Sequence, residues 1–276
     1  MDQQAKIAEF RRLHGERPLV LPNAWDAGSA RLMEQAGAKA IATTSAGISW
    51  SHGCADGQRL SRDEMLTVIG RIVRRVEVPV TADIEGGYGE GSPRDVAETV
   101  RAAAGIGIAG INLEDSPGRD GKKLIDPPLQ AARIAAAREA ARAAGCELVI
   151  NARTDVFLFE VGAPESRSAE VCRRAAIYRA AGADCVFVPG LIDRAAIAAL
   201  VQAIACPLNI MAMPGAPDTA ELGRLGVARV SVGPMITQAA FASTRRLTRE
   251  LLVHGGYGRA EDLLSFSEIG VLFNPR

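Results

Sequence analysis

The stretch VPVTADIE (78–85) is apolar at first and ends in two acids, Asp83 and Glu85. Seven other β-rich runs, most of them apolar at first and ending in polar or Gly/Pro residues, recur along the chain: LVLPNAW (19–25), AIATTSAG (40–47), GINLED (110–115), LVINARTD (148–155), CVFVPG (185–190), PLNIMAMP (207–214) and RVSVGP (229–234). A strand buried on both faces shows an unbroken apolar run, as strands of parallel sheets do. Amphipathic segments such as 93–105, 128–144, 166–181, 192–204 and 217–226 lie between the runs. Gly37, Gly105, Gly145, Gly182 and Gly226 close several of them, and glycine is the residue a helix C-terminus favours. Eight such units predict one (β/α)8 TIM-type barrel domain over 1–276. An open doubly wound sheet fits less well, because no G-x-G-x-x-G follows the first strand. From 236 to 276 the pattern is one more helix and a loop-rich tail (HGGYGRAEDL), an extension expected to pack on the barrel or on a partner subunit.

Composition narrows the function. Apolar residues make up 48% and charged residues 23%, which is globular. Lys plus Arg and Asp plus Glu are 32 each, so no net field draws the chain to nucleic acid or an anionic membrane. Aromatics at 4% leave few stacking platforms for bases. The first 18 residues carry no apolar h-region, and no apolar run reaches the ~20 residues of a spanning helix. The five cysteines are scattered with no C-x-x-C pair. That argues against a disulfide framework or thiolate zinc site and for a reducing cytoplasm.

In a barrel, functional groups sit at the C-terminal ends of the strands. Asp83 and Glu85 are two apart, which on a strand points both to one side. Glu114 and Asp115 end the fourth run, and Asp56 lies in the loop after the second (HGCADGQ). Facing carboxylates repel, and a bound cation removes that repulsion. An all-oxygen set suits Mg2+ first and Mn2+ second. The alternative, that these acids cap helices or pair with arginine, stays open. Arg153 ends the fifth run, where it could grip a substrate carboxylate or pair with Asp155 or Glu114. Asn209, within the seventh run, needs partners if buried. The backbone at Ser45, Ala46 and Gly47 could cradle a carboxylate, or form an ordinary turn. Gly86-Gly87-Tyr88-Gly89 permits close backbone approach to a ligand, whereas the GGYG at 255–258 reads as a plain loop. Trp25 reads as packing that walls the pocket, and His52 and Cys54 as surface loop residues.

These stretches, namely LPNAWDAGSARLMEQAGAKAIATTSAGIS (21–49), VPVTADIEGGYG (78–89), GINLEDS (110–116), INARTD (150–155) and LNIMAMPG (208–215), resemble the isocitrate lyase / phosphoenolpyruvate mutase superfamily. The resemblance implies Mg2+-dependent chemistry on 2-oxo or 2-hydroxy acids, with a C–C or P–C bond made or broken beside a pyruvate-like enolate. It implies Asp83 as the direct metal contact, with Glu85, Glu114 and Asp56 completing the shell, partly through water. It places Trp25, Ser45, Ala46, Gly47, Asp83, Arg153 and Asn209 around the substrate, and Arg153, Asp56 and Glu114 at the chemistry. It also implies a homo-oligomer, dimer or tetramer, with the last barrel helix (around 236–252) exchanged between subunits.

One loop departs from the family. SPGRDGKKLIDPP (116–128) lacks the Cys and His of the Lys-Cys-Gly-His type loop of isocitrate and methylisocitrate lyases. It also lacks the loop of the mutases and phosphonate hydrolases. Decarboxylation of a 3-carboxy-2-oxo acid needs no base, so the expectation is a lyase on a small 2-oxo dicarboxylate, with oxaloacetate first. Cleavage of a substituted malate, methylisocitrate or phosphonopyruvate, or 2-oxo acid binding with little turnover, are the other readings.

Overall fold

The first run, LVLPNAW, folds as two short strands, β1 (Leu19–Leu21) and β2 (Asn23–Ala24), because Pro22 between them has no N–H to give to a ladder. The computed structural model describes residues 1–16, 18–117, 123–256 and 263–274. The other strands are β3 (Ile41–Thr43), β4 (Val80–Asp83), β5 (Gly110–Glu114), β6 (Val149–Arg153), β7 (Cys185–Val188), β8 (Leu208–Met211) and β9 (Arg229–Ser231). All neighbours pair in parallel, in the order β1-β9-β8-β7-β6-β5-β4-β3-β2. β1 and β2 are halves of one strand, so this order is a ring and the architecture is the expected (β/α)8 barrel. The Asn23 side chain secures the seam. Its Nδ2 donates to the Thr43 carbonyl at 2.9 Å, and its Oδ1 accepts from the N–H groups of Val232 and Gly233 at 2.9 and 3.1 Å.

The helices are α1 (Gln3–Leu13), α2 (Ala27–Gln35), α3 (Ser45–Ser51), α4 (Arg62–Val73), α5 (Pro93–Gly105), α6 (Pro127–Ala143), α7 (Arg167–Ala180), α8 (Arg194–Ala203), α9 (Thr219–Arg224), α10 (Met235–His254) and α11 (Phe266–Phe273). The start of α3 corrects the expectation that Ser45, Ala46 and Gly47 close a strand. The ladder stops at Thr43, and Thr44 caps the helix by accepting the Gly47 N–H. α5 runs through Gly105, and the left-handed residue after it is Gly107. In the tail, α11 was not read from the sequence. Its signal is the Ser265/Glu268 capping box ahead of an apolar run. Residues 257–262, which include part of the second GGYG, lie outside the described residues.

α1 plugs the N-terminal mouth of the barrel. Phe10 and Leu13 are buried, and a Cβ on Gly110 would stand only 3.0 Å from the Phe10 ring. The guanidinium of Arg229 on β9 lies 5.6 Å from the centre of the same ring. The opposite mouth is therefore the open one. α10 does not fold back over the barrel as an eighth helix. Thr237 is its one buried residue, while Phe241, Leu251, Leu252 and Val253 are exposed. α11 does return and packs on α2, where Arg31 donates to the Leu272 carbonyl. None of the described helices is long and apolar enough to cross a membrane. The Phe10→Ala variant, which empties the plug, should lose about 3–5 kcal/mol of stability in urea unfolding.

Candidate functional site

Asp83 is the last residue of β4, and the chain around it is built to hold its carboxylate. Its Oδ2 accepts from the Ser45 N–H at 3.2 Å and the Ser45 hydroxyl at 2.8 Å, at the N-terminus of α3. Its own N–H donates to Thr43 Oγ1 at 2.9 Å. Glu85 joins it by a route the sequence did not suggest. The strand has ended, so the two-residue alternation does not apply. Glu85 sits in a left-handed turn (φ 51°), and its N–H lies 3.4 Å from Asp83 Oδ1. The Gln58 N–H, at 2.5 Å, and the Tyr88 hydroxyl, at 3.1 Å, hold the Glu85 carboxylate. Burial, then the charges of Asp83 and Asp56, push Glu85 up to about 7. Asp56 stands at the solvent-facing edge. Surrounding protein and the Asp83 charge raise it, while the Gly57 N–H, Arg153 and Ser45 pull it down.

Glu114 ends β5 and Arg153 ends β6, side by side in register. Arg153 Nη1 meets Glu114 Oε2 at 2.8 Å, while Nε and Nη2 grip both oxygens of Asp155 at 2.6 and 3.1 Å. Arg153 thus takes both partners named as the alternative to substrate binding. A guanidinium has five N–H donors, so one on each Nη remains for a ligand. Burial alone would lower Arg153, but Asp155, Glu114 and Asp83 hold it well above its ordinary value. Glu114 is held well above the usual carboxylate range by burial. Arg153 opposes the rise, Asp155 and Asp83 add to it, and Ser116 donates to Oε1 at 2.6 Å. Asp115 turns away from this cluster. Its Oδ2 accepts from Tyr178 at 2.7 Å and Arg174 at 3.0 Å, and its Oδ1 takes the Asp155 N–H, so it anchors α7 to the rim.

The remaining predicted residues fall around and below the acids. Trp25 is half-buried beside Gly47, where a Cβ would stand 3.1 Å from Trp25 Cβ and 2.6 Å from Thr237 Oγ1, so only glycine fits. The Ser45 and Gly47 N–H groups, expected for a substrate carboxylate, are engaged by Asp83 and Thr44, and Ala46 is buried between them. Asn209 is fully buried in mid-strand. It bonds to Ser231 at 3.3 Å rather than to any of the acids, and its Nδ2 has no partner. His52 and Cys54 stay in the surface loop. Gly87 and Gly89 of GGYG make room for α5. A Cβ on Gly87 (φ 86°) would meet Val96 at 2.6 Å, and one on Gly89 would meet Asp95 at 2.5 Å. Gln58 was not singled out because it reaches Glu85 from another loop, 27 residues away, whereas Tyr88 and Ser116 bond acids only three and two residues away in their own segments and had no role assigned to their hydroxyls. Of the loop 116–128, residues 118–122 lie outside the described residues.

Among the described residues no three acids, histidines or cysteines stand in direct ligating geometry around one point. The hydrogen bonds above give the reason, since each carboxylate is held by a protein donor. The donor set nonetheless fits a hydrated hard cation. Asp56, Asp83, Glu85 and Glu114 lie within one another's fields, with one guanidinium, Arg153, against them. Mg2+ keeps several waters and needs only one or two direct carboxylates.

The family model described as phosphoenolpyruvate phosphomutase matches residues 10–252. An uncharacterized protein of Mycobacterium tuberculosis H37Rv is 39% identical over 87% of both chains. The oxaloacetate decarboxylase of Ectopseudomonas mendocina is 33% identical over 72% of this chain and 67% of its own. Among solved structures, a candidate phosphonomutase of Burkholderia cenocepacia J2315 is 46% identical, with a TM-score of 0.84 over 88% of this chain and 99% of that one. A phosphonopyruvate hydrolase complexed with oxalate and Mg2+ is 26% identical, with a TM-score of 0.85 over 99% and 95%.

The raised Glu85 has a defined effect on stability. Unfolded, it titrates near 4.5; folded and metal-free, near 7. Between those values the folded state holds a proton the unfolded state has released, so stability falls as pH rises through the window, by up to about 3 kcal/mol. In urea unfolding with EDTA across this range, Glu85→Gln should lack that slope and be the more stable protein above the upper pKa.

Proposed function

The chain belongs to the phosphoenolpyruvate mutase / isocitrate lyase superfamily, and we propose that it is a Mg2+-dependent lyase that decarboxylates a small 2-oxo dicarboxylate such as oxaloacetate. The observation that carries this reading is the acid cluster of Asp56, Asp83, Glu85 and Glu114 beside a guanidinium with N–H groups to spare. Asp83 would hold the ion directly, and the other three would hold its waters. When bound, the ion would stabilise negative charge developing on the substrate's 2-oxo oxygen. The relatives named for oxaloacetate decarboxylation and for a complex with oxalate and Mg2+ support the substrate class and the metal.

The chain's own residues do the rest. Asp155 and Glu114 hold the Arg153 guanidinium in one plane, so its free N–H groups meet a substrate carboxylate in a fixed orientation. Ser45 keeps the Asp83 carboxylate in a single orientation. Trp25, packed against Gly47, would wall the substrate. As CO2 leaves, its bonding electrons stay on the remaining three carbons, and one proton taken up at C3 completes pyruvate. No base is needed to start the reaction, consistent with a 116–128 loop that carries no Cys or His. Purified protein with Mg2+ should release pyruvate from oxaloacetate well above the metal-only rate. EDTA should abolish this, and Asp83→Asn should lower kcat/KM by at least ~100-fold. A panel of substituted malates and phosphonopyruvate separates the alternatives: pyruvate from one of these and none from oxaloacetate would overturn the decarboxylase reading.

We also propose that the working enzyme is a homo-oligomer built by exchange of α10. On one flank of the barrel a groove of about 690 Å3, lined by Leu13, Leu19, Val20, Met33 and Ile236 among others, lies between α1 and α2. Val20, on the outer face of β1, is 41% exposed there, although outward strand residues of a barrel are ordinarily covered by a helix. The departing α10 of a second copy, which exposes Phe241, Leu251, Leu252 and Val253, supplies such a helix. Sedimentation should give a multiple of the 29.0 kDa chain, and Val20→Asp should shift it towards monomer.

A further inference from the structure

Arg133, on α6, is fully buried, yet among the described residues it makes no ion pair. Its donors go to main-chain carbonyls instead. Nη2 donates to Gly86, the residue after Glu85, and Nη1 reaches the carbonyl of Glu114 at 3.4 Å. Nη1 also meets Gln130 Oε1 at 2.5 Å, one turn earlier on the same helix, and Nε has no partner. A buried unpaired charge is expensive, and a well-packed apolar side chain would ordinarily be the more stable choice. The two carbonyls flank the side chains of the proposed cation site. One further bond joins the same segments, the Glu114 N–H to the Glu85 carbonyl at 3.0 Å. Space is tight here as well. A Cβ on Gly86 would stand 3.0 Å from the Ser116 carbonyl and 3.6 Å from Arg133 Nη2.

Arg153 already sets one positive charge against Glu114, and a second arginine on the carboxylates would neutralise them further and compete with a cation. Placed behind them on the backbone, it can hold their spacing and leave their oxygens free. We propose that Arg133 is a positioning residue that sets the separation of Glu85 and Glu114 by gripping the main chain beside each, and so prepares the acid cluster for a hydrated divalent cation. The inference rests on the reading of this cluster as a cation site. Lysine is a poor substitute, because its single ammonium on a shorter reach lacks the planar fork that presents separate nitrogens to the two carbonyls.

Mn2+ alone is the probe. Metal-free wild type, Arg133→Lys, Arg133→Met and Gln130→Leu are titrated with Mn2+, and free ion is followed by its EPR signal. Circular dichroism and melting in EDTA report folding of the same samples. Partners that orient metal-holding groups typically contribute 10–100-fold in affinity. Mn2+ affinity should therefore fall about 10–100-fold in both Arg133 variants. Gln130→Leu, which removes only the side chain that aims the guanidinium, should fall by a smaller factor. Folded variants that bind Mn2+ as wild type does, with only a lowered melting temperature, would overturn the proposal and leave Arg133 a packing residue. Should Arg133→Met fail to fold, Arg133→Lys and Gln130→Leu decide by the same criterion. Wild type that takes up no Mn2+ overturns the cation-site reading and this inference with it, a result distinct from equal binding by all four proteins.

Discussion

Mutual repulsion among carboxylates is the constraint around which the open mouth of this barrel is arranged. Four adjacent loops and strand ends deliver Asp56, Asp83, Glu85 and Glu114 close together, and burial makes the charges of Glu85 and Glu114 above all more costly. The surrounding structure answers with donors. Ser45 serves Asp83, Gln58 and Tyr88 serve Glu85, and Ser116 and Arg153 serve Glu114. The neutral donors hold the acids in place without cancelling their charge, and Arg153 offsets only part of it. The surplus is what a divalent ion and an acidic substrate's developing charge would resolve together.

The barrel was legible because its code is local. A parallel strand buried on both faces must be apolar throughout, and it must end where polar residues meet the rim. Most of the eight runs show this, and Asp83, Glu114 and Arg153 sit at the ends of their strands. What the pattern could not show was where the ladder stops. Thr44 looks like strand, but its hydroxyl caps α3, and Glu85 looks like the next inward residue after Asp83, but it leaves the sheet in a left-handed turn. The two acids still converge, through a turn rather than a pleat.

Contacts between distant segments were the least legible part. Gln58 reaches Glu85 across 27 residues and Arg133 reaches Gly86 across 47. Neither carries a local signature, since an arginine in an Ala-rich helix reads as solvated face. Asn209 shows the converse. Its place in a strand run next to the family's motif suggested a ligand, yet its Oδ1 accepts from the Ser231 hydroxyl and its buried Nδ2 has no partner among the described residues. The glycines at 87 and 89 were read as room for a ligand, and they prove to be room for α5.

Gly47 and Thr237 have a consequence beyond packing. Thr237 is the one buried residue of α10, and it presses on the backbone at the start of α3, the same turn that orients Asp83 through Ser45. The rim of the site and the departing helix are therefore one mechanical piece. In an assembly that docks α10 on a neighbour, subunit association and ligand occupancy become thermodynamically linked. Whatever steadies the docked helix steadies the Asp83 turn, and a filled site returns the same free energy to the assembly.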